Sequence, residues 1–253
     1  MLDELARGGQ ASGPNVGAQL ADRLAAVKER IRRSARGSGR DPATVKLVAV
    51  SKTQPAELVA ALASAGQFEF GENRIEEAGP KMQALHDDAR LRWHMMGHVQ
   101  GRKSREVIGA GFALVHSVDS LRLAERLSRL AQDSGRRQVV LLECNVSGEA
   151  NKAGFKSSEP VTWPALLPDF ERITALPGLD VRGLMTMAPQ VPHPELARPF
   201  FQRLAALRDF LALRLPAQPL LELSMGMTDD FEAAIEAGAT LVRIGRAIFG
   251  ERA

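Results

Sequence analysis

The sequence predicts a (β/α)8 barrel, on three observations. Eight short apolar runs alternate with helical patterns between residues 45 and 246, with no break in composition between them. A length of 253 residues suits a barrel treated as one domain. A doubly wound sheet, the alternative, would usually carry Gly-x-Gly-x-x-Gly after its first strand, and that turn is absent.

Residues 1–16, rich in Gly, Ala and Ser, read as a disordered lead-in, and 17–253 as the barrel domain. Leu20, Leu24, Val27 and Ile31 fall at helical spacing, so an extra N-terminal helix over 17–36 precedes the barrel. Gly37 and Gly39 end it, and Asp41-Pro42 turns the chain into the first strand. That strand, Leu47 to Val50 with Val45 just upstream, reads as buried on both faces and stops at Ser51-Lys52-Thr53. Pro55 opens a helix that Gly66 closes. A second strand, Phe68 to Phe70, ends in Gly71-Glu72-Asn73, and a helix follows to about Leu85. The third strand spans 92–97 with a helix over 102–108, and the fourth spans 113–119 with a helix over 121–130. The fifth, 138–146, runs into a long polar loop at 148–160, then a helix within 162–174. The sixth spans 181–189, followed by a helix around 195–214 read as the longest in the chain. The seventh spans 220–227, then a helix over 229–237 ended by Gly238, and the eighth spans 240–246.

Composition, 45% hydrophobic and 25% charged, is that of an ordinary globular protein. No apolar run approaches the ~20 residues a membrane span needs, and the N-terminus lacks the pattern of a secretory signal. The single cysteine, Cys144, lies in an apolar strand run and has no internal disulfide partner, so a buried thiol and a reducing cytoplasm are expected. A net charge of +3 comes without a long Lys/Arg block, and the patches Lys28–Arg40 and Arg102–Arg105 read as helix-surface charge. With 5% aromatics and no tyrosine, stacking platforms for nucleic acid are scarce. Anionic small molecules fit the bias better than nucleic acid or a membrane.

A barrel gathers the carboxyl ends of its strands at one mouth, where ligands bind. Lys52 ends the first strand, and a lysine there is costly unless its amine is used or paired. The plain alternative is a side chain that snorkels to solvent. Asn73, Gly97-His98, His116-Ser117, Asn145 and Met185 to Met187 end the strands that follow. The seventh and eighth end in Ser224-Met225-Gly226 and in Arg243 to Arg246. A hydroxyl, two glycines whose backbone a ligand can approach, and two guanidiniums are the parts of a phosphate site, which barrels often place between these loops. The plain alternative is that Gly226 and Gly245 merely turn the chain. Asp229 and Asp230 read as capping the helix that follows. Metal spacing is absent: the histidines at 86, 94, 98, 116 and 193 form no His-Glu-x-x-His, and His94 and His98 lie across a strand end. No Gly-x-Ser-x-Gly elbow is present.

A lysine facing a phosphate cradle calls for a ligand that joins an aldehyde to a phosphate. Pyridoxal 5′-phosphate (PLP) is the common one. Its aldehyde needs a neutral amine, and burial at a strand end favours that form.

The motifs AVSKTQP, FGEN, WHMMGHVQGRKSR, NVSGEANKAGF, RGLMTM, SMGMTDDFEAAIEAGATLVRIG and AIFGER resemble the pyridoxal phosphate homeostasis protein family from about residue 17 to 252. Such proteins look like the barrel domain of alanine racemase occurring alone. The resemblance implies that Lys52 forms a covalent aldimine with PLP and that Asn73 lies at the cofactor's face. Ser224, Gly226 and Gly245 match phosphate-cradle positions, with Met185 and Met225 counted among the cofactor-binding strand ends. Arg243 matches the arginine facing the pyridine nitrogen, and Lys152 the lysine thought to affect PLP exchange. Two positions depart from the pattern. Arg246 stands where the family often has Ser or Thr, leaving phosphate contact by charge or none, and Arg74 stands where it often has Tyr.

Three functions compete: a PLP-holding homeostasis protein with apo-enzymes as candidate recipients, an amino-acid racemase, and a Schiff-base aldolase of a phosphosugar. Racemisation in the resembled enzymes uses a tyrosine from a separate domain across a dimer. This chain has no tyrosine and only about seven residues after the last strand. Arg243 beside the pyridine nitrogen also disfavours a second positive charge there, leaving His94 or His116 as the candidate replacement base. The aldolase leaves the motif matches unexplained. A holder without turnover, as a monomer rather than a dimer, is the expectation.

Overall fold

The apolar run at 47–50 becomes a strand because it finds partners on both edges. In the computed structural model, which describes residues 14–216 and 219–251, the strands are β1 (Lys46–Val50), β2 (Glu69–Glu72), β3 (Arg92–Met95), β4 (Leu114–Val118), β5 (Gln138–Asn145), β6 (Phe155–Lys156), β7 (Leu179–Met185), β8 (Glu222–Ser224) and β9 (Leu241–Ile244). β1 pairs in parallel with β2 and with β9, and the ring runs on through β3, β4, β5, β7 and β8 back to β9. The sheet thus closes as an eight-stranded parallel barrel, with β6 a two-residue addition beside β5.

The helices are α1 (Pro14–Gly37), α2 (Ala56–Ser64), α3 (Ile75–Ala84), α4 (Ser104–Ala110), α5 (Leu121–Asp133), α6 (Leu167–Thr174), α7 (Arg198–Ala212), α8 (Phe231–Glu236) and α9 (Arg246–Phe249). Outward strand residues pack beneath them in one large core that includes Val59, Leu62, Phe70, Leu127, Phe170 and Phe201. Inward residues form a smaller core of Val48, Met96, Leu114, Leu141, Met185 and Leu241. This two-sided burial is why the strands read as continuous apolar runs. Cys144 is buried, as expected. No described helix is long and apolar enough to cross a membrane.

The N-terminal helix is present and begins at Pro14; the lead-in expected over 1–16 otherwise lies outside the described residues. The helix expected over 195–214 is not the longest. A 3-10 turn takes Pro194–Ala197, α7 then runs for 15 residues, and α1 has 24. Residues 160–166 are likewise 3-10, because Pro160 and Pro164 cannot donate to an α-helical ladder. Strands three, six and seven stop before their expected ends, where the chain leaves the ladder to build the mouth.

Candidate functional site

Lys52 follows β1 in a turn fixed on both sides. Ser51, before it, is fully buried. Its hydroxyl donates to Glu72 Oε1 at 2.7 Å, and its carbonyl accepts from Lys81 Nζ at 2.6 Å. Thr53, after it, has the left-handed φ of 65°, a strained setting for a β-branched residue, and its N–H donates to Glu77 Oε2 at 3.0 Å. The half-buried Lys52 lines a cavity of about 400 Å³ with Gln54, Gly245, Arg246 and Phe249.

Gly245 belongs to this cavity. A Cβ there would stand 3.2 Å from the carbonyl oxygen of Val50, so a small residue lets the end of β9 pass beside the end of β1. Arg246 lines the cavity too, but its guanidinium is engaged on the rim, 2.5 Å from Asp229 and 3.3 Å from Glu251. Asp229 is therefore an ion-pair partner. Asp230 stands at the N-cap position of α8 without a side-chain capping bond; its carboxylate instead accepts from the Met227 N–H at 2.6 Å. The expectation that both cap that helix gives way because these nearer partners satisfy them.

Below the mouth lies a polar chain inside the barrel. Arg243 donates to Ser224 Oγ at 2.6 Å and to the Thr186 carbonyl at 2.9 Å. His116 Nδ1 meets Ser224 Oγ at 2.8 Å, and His116 Nε2 meets His94 Nδ1 at 2.8 Å. His94 Nε2 meets Glu69 Oε2 at 2.6 Å, at the far end of the barrel. Ser224 and His116 are fully buried and His94 nearly so. Both histidines, the candidate replacement bases, thus have their ring nitrogens bonded within this internal chain. Burial, helped by His94 and Arg243, holds His116 well below the usual histidine range. Burial also pushes Arg243 down to about 10, with Asp230 and Glu143 acting the other way, and it stays charged at neutral pH.

The other expected residues divide. Met185 faces the barrel interior beside Ser224 in register, whereas Met225 packs in the outer layer. Gly226 has φ of 90°, and a Cβ there would come within 2.6 Å of Ala234 Cβ and 2.9 Å of Phe231 Cα, so packing against α8 by itself demands glycine. Asn73 lines a second cavity of about 530 Å³ with Gly97 and His98, and His98 pairs with Asp119 at 3.0 Å. Asn145 binds its own loop, donating to the Glu149 carbonyl at 2.8 Å and accepting from Gly148 N–H at 2.9 Å. Lys152 pairs with Glu149 and reaches the Met187 carbonyl at 3.4 Å.

Sequence reasoning missed Glu143. It sits two residues before the strand end that was singled out, in register with Met185. It is 5% exposed and makes no side-chain hydrogen bond among the described residues. A lone carboxylate in the run VVLLECNV, on the same face as Leu141, was the available signal.

The family model described as alanine racemase, N-terminal domain, matches residues 23–253. The chain is 45% identical to the pyridoxal phosphate homeostasis protein of Pseudomonas aeruginosa, over 92% of this chain and 96% of that one. It is 41% identical to the protein of that name from Aquifex aeolicus, over 91% and 97%. Among solved structures, PipY of Synechococcus elongatus with PLP bound superposes with a TM-score of 0.78 at 35% identity, covering 91% of this chain and all (100%) of that one. Alanine racemase of Clostridium difficile shares the fold alone, with a TM-score of 0.67 at 15% identity, over 93% of this chain and 57% of that one.

Proposed function

The chain belongs to the pyridoxal phosphate homeostasis protein family, and on that premise we propose that it holds PLP on Lys52 without turning over a substrate. The observation that carries this reading is the cavity shared by Lys52 and Gly245. Its volume of about 400 Å³ suits a small ligand. The lining also fits: the Lys52 amine, the close-approach glycine Gly245 and the Arg246 side chain paired on the rim, with the charged Arg243 buried deeper in the barrel. PLP supplies an electrophilic aldehyde carbon and a ring able to delocalise electrons. In the proposed adduct, Lys52 Nζ adds to that carbon, a C=N bond replaces the C=O bond, and water leaves.

The chain's own residues support holding over turnover. Arg243 presents a cation where a racemase would gain from a protonated ring nitrogen. His94 and His116 are committed to the internal chain. We further propose that the protein supplies PLP to apo-enzymes, as a monomer, in the reducing cytoplasm that suits the unpaired Cys144.

The direct test is absorbance near ~420 nm from a lysine–PLP adduct, together with borohydride trapping. Lys52→Ala should abolish both. A trapped adduct at unchanged yield in that variant rules out Lys52 as the anchor. Turnover of alanine or serine above ~1 per second would sink the holder reading. Transfer of PLP to an apo-enzyme, timed against free PLP, tests supply.

A further inference from the structure

Ser224 is expected from its motif to be part of a phosphate cradle, yet its surroundings give its hydroxyl another task. It is fully buried and does not line the Lys52 cavity. Its oxygen already meets Arg243 at 2.6 Å and His116 Nδ1 at 2.8 Å. The bonds continue from His116 Nε2 to His94 Nδ1 at 2.8 Å, and from His94 Nε2 to Glu69 Oε2 at 2.6 Å. β9, β8, β4, β3 and β2 contribute one residue each, so this chain of bonds crosses the barrel interior.

The two ends of the chain fix its direction. A guanidinium only donates, and an ionised carboxylate only accepts. Glu69 is ionised at neutral pH. With neutral imidazoles, Glu69 makes His94 donate from Nε2 and accept at Nδ1, and His116 then does the same. The Ser224 O–H therefore points to His116 Nδ1, and its lone pairs are what Arg243 meets. Every link agrees with its neighbours, and no hydroxyl proton is left for a ligand. The reverse direction would need an extra proton on the histidine pair, a second cation in an interior that already holds Arg243. Burial, helped by His94 and Arg243, already disfavours a proton on His116.

We propose that Ser224 is a positioning residue for Arg243 and not a phosphate contact: its oxygen, oriented through His116, His94 and Glu69, joins the Thr186 carbonyl in holding the guanidinium toward the ring of PLP. This rests on the PLP reading above, in which Arg243 faces the ring. The phosphate is then left to the groups that line the Lys52 cavity.

The experiment compares PLP with pyridoxal, which has the same ring and aldehyde but no phosphate. Equilibrium dialysis gives Kd for each ligand on the wild type and on Ser224→Ala, with the Lys52 adduct trapped by borohydride in parallel. A positioning role makes Ser224→Ala weaken both ligands by the same factor, about fivefold, the effect of one ordinary hydrogen bond. Loss for PLP alone identifies a phosphate contact. That result, or no loss for either ligand, overturns the proposal and leaves the PLP reading standing. No Lys52 adduct with PLP in the wild type overturns the reading and this inference together. Should Ser224→Ala fail to fold, His116→Ala and His116→Asn decide, because the asparagine keeps an acceptor for the Ser224 O–H. His116→Ala should weaken both ligands alike, with His116→Asn recovering part of the loss for both. Unchanged pyridoxal affinity in His116→Ala rejects the proposal.

Discussion

The Lys81 ammonium donates a 2.6 Å hydrogen bond to the carbonyl of Ser51, the residue before Lys52. The same ammonium lies 2.7 Å from Glu72 Oε1, and Glu72 is fully buried with its second oxygen, Oε2, unpartnered. One lysine on α3 thus neutralises a buried carboxylate of β2 and fixes the backbone from which Lys52 projects. Lys81→Met should cost about 3–5 kcal/mol, the usual penalty for stranding one partner of a buried pair. Denaturant unfolding checks the loss. Adding Glu72→Gln should recover most of the stability, because no stranded charge then remains. The double variant should still form the Lys52 adduct more slowly than wild type, since the Ser51 carbonyl has lost its donor.

Two glycines of the mouth should respond differently to alanine. Gly226 has a left-handed φ of 90° and no room, with Phe231 Cα 2.9 Å from the added atom. Gly226→Ala should cost about 1–3 kcal/mol as overpacking plus strain, with PLP affinity of the folded fraction little changed. At Gly245, which lines the Lys52 cavity and has an ordinary negative φ, an added Cβ meets the Val50 carbonyl oxygen at 3.2 Å and Val50 Cβ at 3.3 Å. Gly245→Ala should lower stability less and weaken PLP binding more. Thermal melts and dialysis on the same samples separate the two.

The barrel was legible because strands such as β1, β4 and β5 are buried on both faces for most of their length, which writes apolar runs between helical patterns. Lys52 was legible because a lysine directly after such a run demands an explanation. Side-chain commitments were not. Asn145 looked like a mouth residue, but its amide closes its own loop, and linear spacing does not show which backbone groups a loop turns inward. His94 and His116 looked available as bases, whereas their strand parity points them into the barrel, toward Glu69 and Ser224. Glu143 is less legible because it lies one inward position before the end of its strand, within the apolar run VVLLECNV.

Cys144 offers a check on the outer layer. Its thiol is buried, and burial, reinforced by Glu143, pushes its ionisation well above the ordinary range. Only the thiolate reacts quickly. The native protein should resist alkylation at about pH 8, and the label should appear in parallel with global unfolding in denaturant. Rapid labelling of the native state would show that β5 opens locally.

His116 should make the fold acid-sensitive in a window set by its own titration. It is fully buried, with hydrogen-bond partners on both ring nitrogens. Burial, with the neighbouring His94 and Arg243, depresses its pKa well below the usual value. Between the two values the unfolded chain binds a proton that the folded chain refuses, so the associated stability is complete above about pH 6.5 and declines as pH falls below it. The slope approaches about 1.4 kcal/mol per pH unit for one such group. Glu69 acts later. Burial raises its pKa, but the His94 hydrogen bond and the nearby charges outweigh this and leave it depressed, so its contribution is lost only as pH falls below the usual carboxylate range. His116→Gln should lower stability at neutral pH by removing part of the internal chain. It should also flatten the pH dependence between about pH 6.5 and about pH 5, leaving the lower, Glu69-linked decline in place. Urea unfolding at steps through this range measures both declines. An unchanged upper slope in the variant would mean that another buried group sets it.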